Sequence, residues 1–261
     1  MTNTGKSASD SVAVHRSRDL SDLLLDQFFT TGLISETERI AARAHRIRIA
    51  GQTLRQSDWL RGQHVRVATG DSAADGVLAR VGDLRTYSVW HFDRESGELD
   101  LCVLDHGDGP GARWGRNAVV GQRVRFRGPE GSFTLRAAAP YHLFAGEETA
   151  SVALGAMLGA VPAEVAVYGA IETATAEDRL PLPRAAELAH PLRGTASAAR
   201  SEILVDAVRE LELPHTPGNA YLAGEARTIQ MLVKHLVQER HWPRRAIHTK
   251  PFWTPGRRGM D

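Results

Sequence analysis

The sequence predicts two domains, an antiparallel β-barrel followed by an α/β domain with a parallel sheet. Three observations support this. Between Ile40 and Arg136, short β-rich runs recur between Gly and Asp turn signals. After Pro140 the rhythm changes to strand-like and helix-like segments in alternation. Two of those strands pass through glycine into a helix in the same way.

Length and composition set the frame. A chain of 261 residues suits two ordinary domains, and 42% hydrophobic residues suffice for buried cores. The net charge of +1 gives no reason to expect nucleic acid as a partner. Cys102 is the only cysteine, so neither an intrachain disulfide nor a thiolate metal cluster can form. The eleven histidines show no ligand spacing. Residues 1–19 read as a flexible polar tail without the apolar core of a signal peptide. The longest apolar stretch, Val152 to Val161, is glycine-broken and too short to span a bilayer, so no membrane insertion is expected. A reducing cytoplasm is the expected location.

Ser21 precedes an acidic and apolar run ending at Phe29, which predicts a short helix. The barrel strands are expected at Ile47–Ile49, His64–Val67, Thr86–Phe92, Leu99–Leu104 and Val119–Phe126. The boundary falls near 137–140, dividing the chain into a barrel domain (20–137) and an α/β domain (138–261). In the latter, strands are expected at Tyr141–Ala145, Val165–Ile171 and Tyr221–Ala223. Helices are expected over Glu147–Gly159, Ala198–Leu211 and Gly224–Gln238, with a long proline-bearing connection over 173–195.

The chemistry-bearing segments are few. Phe144-Ala145-Gly146-Glu147-Glu148-Thr149 and Leu222-Ala223-Gly224-Glu225-Ala226-Arg227 each turn a buried strand at glycine into a helix with free first-turn amides. Such turns lie at the carboxyl edge of a parallel sheet, where nucleotides bind. They are equally good helix starts without any ligand, and G-x-G-x-x-G is missing. In Arg85-Thr86-Tyr87-Ser88, alternation puts Arg85 and Tyr87 on one face and Thr86 and Ser88 on the other. The arginine can pair with a phosphate and the tyrosine can lie against a flat ring. A glycine-rich loop, His106 to Trp114, enters a short helix with amides suited to a pyrophosphate. Gly128-Pro129-Glu130-Gly131-Ser132-Phe133 follows a strand as a tight turn.

The order of these three barrel segments, with A-G-E-E-T-A at 145–150, Ile171-Glu172, A-G-E at 223–225 and Phe252-Trp253, resembles the siderophore-interacting protein family. That family is a branch of the ferredoxin-reductase-like flavoproteins, and the resemblance runs from about Ile40 to the C-terminus. It implies an FAD-binding barrel, a domain that binds NADH or NADPH, and reduction of ferric siderophores to release iron. It further implies that Arg85, Thr86, Tyr87 and Ser88 meet the flavin and its phosphate. His106, Gly109, Gly111, Ala112, Arg113 and Trp114 would line the diphosphate and adenosine side. Gly146, Glu148, Thr149, Glu172, Gly224 and Glu225 would edge the NAD(P)H crevice, with Trp253 the late aromatic. The chain departs from the family pattern at Asp105, where leucine is usual, and at Gly111-Ala112, where a hydroxyl residue is common. The usual T-G-Y-W ending is here Thr249-Lys250-Pro251-Phe252-Trp253.

Ferric siderophores are often anionic. Arg244, Arg245, Lys250, Arg257 and Arg258, with Arg240, make a basic C-terminal stretch that could bind such a substrate or simply be solvated. Two other roles fit the same residues: a flavin reductase with another acceptor, and a siderophore- or flavin-binding module with little turnover. The sequence leaves oligomeric state open.

Overall fold

The computed structural model describes residues 29–69, 84–136 and 138–257. Six antiparallel strands form a closed barrel: β1 (Thr30–Ala41), β2 (Ala44–Ala50), β3 (His64–Ala68), β4 (Leu84–Asp93), β5 (Glu98–Leu104) and β6 (Arg123–Glu130), in the order β1-β2-β5-β4-β3-β6. Alternation explains the closure. Ile47 and Ile49 point inward with Val65, Val67, Leu99, Leu101 and Phe126, while Arg46 and Arg48 point outward. Arg48 grips Asp100 of β5 through two hydrogen bonds of 2.7 and 2.9 Å. Closure leaves no sheet edge open to pairing. Helix α1 (Pro110–Asn117) connects β5 to β6.

The second half is a parallel sheet of β7 (Tyr141–Glu147), β8 (Ala166–Glu172), β9 (Asn219–Glu225) and β10 (Ile247–Trp253), in the order β10-β9-β7-β8. Helices α2 (Ser151–Leu158), α3 (Glu202–Arg209) and α4 (Ala226–Lys234) are the crossovers. In α3, Leu204, Val205 and Val208 face the sheet, and the Ser201 hydroxyl caps the Leu204 amide at 3.2 Å. Helix α2 differs, because all eight of its residues are buried. Trp90 of β4, from the barrel, and Leu182, from the connection after β8, close over Gly155, where a Cβ would lie 2.9 Å from each.

The structure corrects several sequence expectations. The run at Val119–Phe126 is displaced: Val119 and Val120 are exposed in a turn, and the strand spans Arg123–Glu130. Gly121 (φ +86°) holds that turn, its amide bonded to Ile34 O, which overrides the β preference of the valine pair. β1 begins ten residues before the expected onset at Ile40. The basic C-terminal stretch, expected as a substrate-binding rim or a solvated tail and not as a strand, contains β10, which pairs with β9 from Ile247↔Ala220 onward. Most of the Ser21–Phe29 helix, the 1–19 tail, and the Gly70-Asp71 and Gly82-Asp83 turns lie outside the described residues.

Gly155→Val should strain the α2–barrel contact by about 1–3 kcal/mol, because packed interiors do not absorb added carbons. Thermal unfolding of the purified variant checks this. An unchanged midpoint would show that α2 and the barrel are not tightly joined.

Candidate functional site

Strand β4 runs along the junction of the two halves. Its register with β3 sets Arg85 opposite Val67, Thr86 opposite Arg66, Tyr87 opposite Val65 and Ser88 opposite His64. Thr86 and Ser88 face a cavity of about 300 Å³. His64 and the Gly131-Ser132-Phe133 turn complete its barrel wall, and Arg136, Arg244, His248, Thr249, Lys250 and Phe252 supply the rest. Gly131 has φ +106°, and a Cβ there would lie 2.8 Å from the His64 ring, so the turn needs glycine. No carboxylate is among the described residues lining this cavity. Burial, then Lys250, holds the His64 pKa below its ordinary value, with Glu130 opposing. Burial, then Arg136 and Arg244, does the same for His248. Both imidazoles are therefore neutral near pH 7, and three fixed cations dominate the cavity.

The opposite face of β4 packs on α1. The Tyr87 and Trp114 rings are 5.4 Å apart, and a Cβ on Gly111 would lie 2.7 Å from the Tyr87 hydroxyl. That hydroxyl is buried without a hydrogen-bond partner among the described residues, a state that costs energy unless a ligand satisfies it. A Cβ on Gly107 or Gly109 would meet nothing within 4 Å, so the loop surface is open there. No side chain caps the first turn of α1, which leaves its amides available to an anion. A flat ring carrying a diphosphate fits these features. Asp105, an apparent obstacle to an anion, is paired with Arg116, which also bonds Asp108 at 3.2 Å and Gly107 O at 2.9 Å. His106 and Arg113 are exposed, the latter bonded to Asp108 O. The Trp114 side chain packs into the barrel core and Ala112 is buried, so Ala112 offers a ligand only its backbone. Arg85 lies against Gly111 and donates to Leu84 O at 2.9 Å.

At the carboxyl edge of the parallel sheet, four buried carboxylates converge. Glu147 accepts from Thr149 N and Trp253 Nε1, both at 2.8 Å, and burial raises its pKa. Glu148 accepts from Arg193 and, at 3.0 Å, from Arg43. Burial alone would raise its pKa, but the Arg193 hydrogen bond and charge bring it below the ordinary value. Glu172 is 0% exposed, accepts from the Ser201 hydroxyl, and has its pKa raised by burial. Glu225 accepts from Arg227 N at 3.0 Å and Thr228 N at 2.9 Å. Against its burial, those backbone donors lower its pKa. Gly224 (φ +119°) admits Glu147, whose Oε1 would lie 2.7 Å from a Cβ. A Cβ on Gly146 would lie 2.5 Å from Ala223 O.

Three of the amides expected to be free are thus taken by the chain's own glutamates: Thr149 N, in the turn before α2, by Glu147, and Arg227 N and Thr228 N, at the start of α4, by Glu225. Trp253, expected as a ligand aromatic, spends its indole N–H on Glu147, while Phe252 lines the cavity. Of the basic C-terminal residues, Arg244 and Lys250 line the cavity, Arg245 and Arg257 are exposed away from it, and Arg258 lies outside the described residues. Arg240 bonds Arg209 O at 2.8 Å and Leu211 O at 2.9 Å. Sequence reading missed His64, Arg136 and His248. His64 becomes visible only through its pairing with Ser88, and no local signal marks the other two.

Residues 139–256 match the siderophore-interacting protein family, and residues 79–133 match the siderophore-interacting FAD-binding domain. The ferric vibriobactin reductase ViuB of Vibrio cholerae is 27% identical over 212 residues, which cover 75% of this chain and 78% of ViuB. A siderophore utilization protein from T. fusca superposes with a TM-score of 0.75 at 24% identity, covering 89% of this chain and 95% of that one. The siderophore-interacting protein SipS from Aeromonas hydrophila gives 0.74 at 21% identity, with coverage of 88% and 93%. Ferredoxin-NADP+ reductase from Plasmodium falciparum gives 0.70 at 11%, with coverage of 86% and 96%. At these identities the structural likenesses establish the fold, a ferredoxin-reductase-like barrel and parallel-sheet pair.

Tyr87→Phe removes the orphaned hydroxyl. Thermal stability of the flavin-free chain should hold or rise, while FAD affinity, followed by flavin fluorescence, should fall roughly two- to tenfold, the worth of one net hydrogen bond. Unchanged affinity would remove Tyr87 from the site.

Proposed function

The chain belongs to the siderophore-interacting protein family, and on that premise we propose that it is an FAD-dependent reductase of ferric siderophores driven by NADH or NADPH. The barrel domain (20–137) binds FAD, the α/β domain (138–261) presents the nicotinamide, and the reaction takes place in the cytoplasm. The cavity carries this reading. Two hydroxyl side chains, Thr86 and Ser88, face three cations, Arg136, Arg244 and Lys250, with no carboxylate among the described lining residues. Such a lining offers hydrogen-bonding hydroxyls to a polar flat ring and positive charge to an anionic chelate.

Bound FAD would take two electrons as a hydride and pass them on one at a time. The chain's own residues bind and orient. Arg85, Tyr87 and the amides around Gly109–Gly111 would hold the dinucleotide, and Thr86 and Ser88 would offer hydrogen bonds to its ring. Arg136, Arg244 and Lys250 draw the chelate into contact. The two electrons of one hydride would reduce two Fe(III) to Fe(II), with the proton released to solvent. Fe(II) binds hard oxygen donors far less well, so reduction is itself the release step. No general acid or nucleophile is required, and none is assigned.

The purified protein should carry flavin absorption or take up added FAD. Under anaerobic conditions NADH or NADPH should bleach it, and a ferric siderophore should restore the colour while a ferrous trap registers about two Fe(II) per NAD(P)H. Bleaching without reoxidation by the chelate would indicate another acceptor, and no flavin uptake would refute the proposal. Arg85→Ala should lower FAD retention more than Arg257→Ala. Lys250→Ala should raise the KM for an anionic chelate about tenfold at low salt and less at high salt, where screening already weakens the attraction. A salt-independent effect would place Lys250 outside the chelate's reach.

A further inference from the structure

Arg43 stands in the turn between β1 and β2, on the barrel, yet every hydrogen bond of its guanidinium goes to the other half of the molecule. Nε and Nη2 make paired bonds of 2.8 and 2.9 Å to the two oxygens of Asp178, and Nη2 also reaches Glu148 at 3.0 Å. The neighbouring Ala42 amide bonds Glu177 O at 2.8 Å. Both carboxylates are nearly buried, at 4% and 6% side-chain exposure. The contacts continue inward. Glu148 is gripped on both oxygens by Arg193, which lies 3.5 Å from Glu172. Glu172 in turn accepts from Ser201, the cap of α3. An unbroken chain of charged and polar contacts therefore links the barrel turn to the ends of β7 and β8 and to the start of α3.

The other main joint, α2 beneath Trp90, is an apolar packing contact. Paired guanidinium–carboxylate bonds add a directional constraint to it. The cavity walls belong to both halves, so its width follows their relative orientation. We propose that Arg43 is a positioning residue, a clamp that sets the distance and angle between the flavin-bearing barrel and the sheet edge that presents the electron donor. This inference rests on the reading of the chain as an NAD(P)H-driven flavoprotein. Hydride transfer needs ring contact, so a displacement of about an ångström slows it steeply. Lysine, a point charge, cannot hold Asp178 and Glu148 together.

The test compares Arg43→Ala, Asp178→Asn, their double variant and Arg43→Lys with the unaltered chain, each as FAD-loaded protein. FAD retention should stay within about twofold, while the limiting rate of flavin bleaching at saturating NAD(P)H falls about tenfold in either single variant. The double variant should lose no more than either single, because both break one interaction. Arg43→Lys should recover only part of the rate. A limiting rate within about twofold of the unaltered chain, an equal loss of FAD retention, or single losses that multiply in the double variant would each overturn the clamp. The same series, photoreduced and then reoxidised by ferric citrate, needs no nicotinamide. If the unaltered chain is not bleached by NADH or NADPH, the donor assignment fails, and slowed reoxidation in the variants still supports the clamp. Unslowed reoxidation there overturns it as well.

Discussion

Helix α2 has no polar face, and its burial on every side is the constraint on which the arrangement of the two halves depends. A crossover helix in a parallel sheet ordinarily shows one face to water. Here the sheet covers one side and Trp90, Leu182 and Phe133 cover the rest in a single apolar cluster. Separating barrel from sheet would expose that cluster, so the two halves are held as neighbours by the hydrophobic effect. The cavity lies along their junction, lined by Gly62 and Gly131–Phe133 on the barrel side and by β10 on the other, and Gly62 lies close against Phe133 and Met157 of α2.

Charge is distributed unevenly around this junction. The cavity presents Arg136, Arg244 and Lys250. At the carboxyl ends of β7, β8 and β9, Glu147, Glu148, Glu172 and Glu225 are buried. Those carboxylates survive burial because each is satisfied, by helix-start amides, by Ser201 or Trp253, or by Arg43 and Arg193. An anion approaching the junction is drawn to the cavity and not to the sheet edge. The capping glutamates hold their helix starts rigidly and commit amides that a bare sheet edge would offer to a phosphate, so a dinucleotide would have to rely more on side chains there.

The barrel strands around Ile47–Ile49, Leu99–Leu104 and Thr86–Phe92 were legible because alternation of apolar and polar residues is a local property. The opposed faces of β4 followed from the same rule: Tyr87 packs on Trp114 while Ser88 faces the cavity. β10 escaped notice because Lys250-Pro251 and its basic neighbours mask a strand, and only pairing with β9 makes it one. Val119-Val120 misled for the converse reason, since a β-prone pair was placed in a turn by Gly121 and its bond to Ile34.

By itself the sequence determined the two-part architecture, the strand–glycine–helix turns and the hydroxyl-bearing face of β4, because periodicity and glycine conformation act over a few residues. Only the tertiary structure decided which side chains share the cavity and which are spent internally. Lys250 and His64, far apart in sequence, meet across the junction. Glu148 and Glu172 turn inward to Arg193, and Trp253 turns to Glu147. The physical reason is that a buried charge or donor goes to the nearest partner that the fold supplies, and strand order, not local sequence, settles which partner that is.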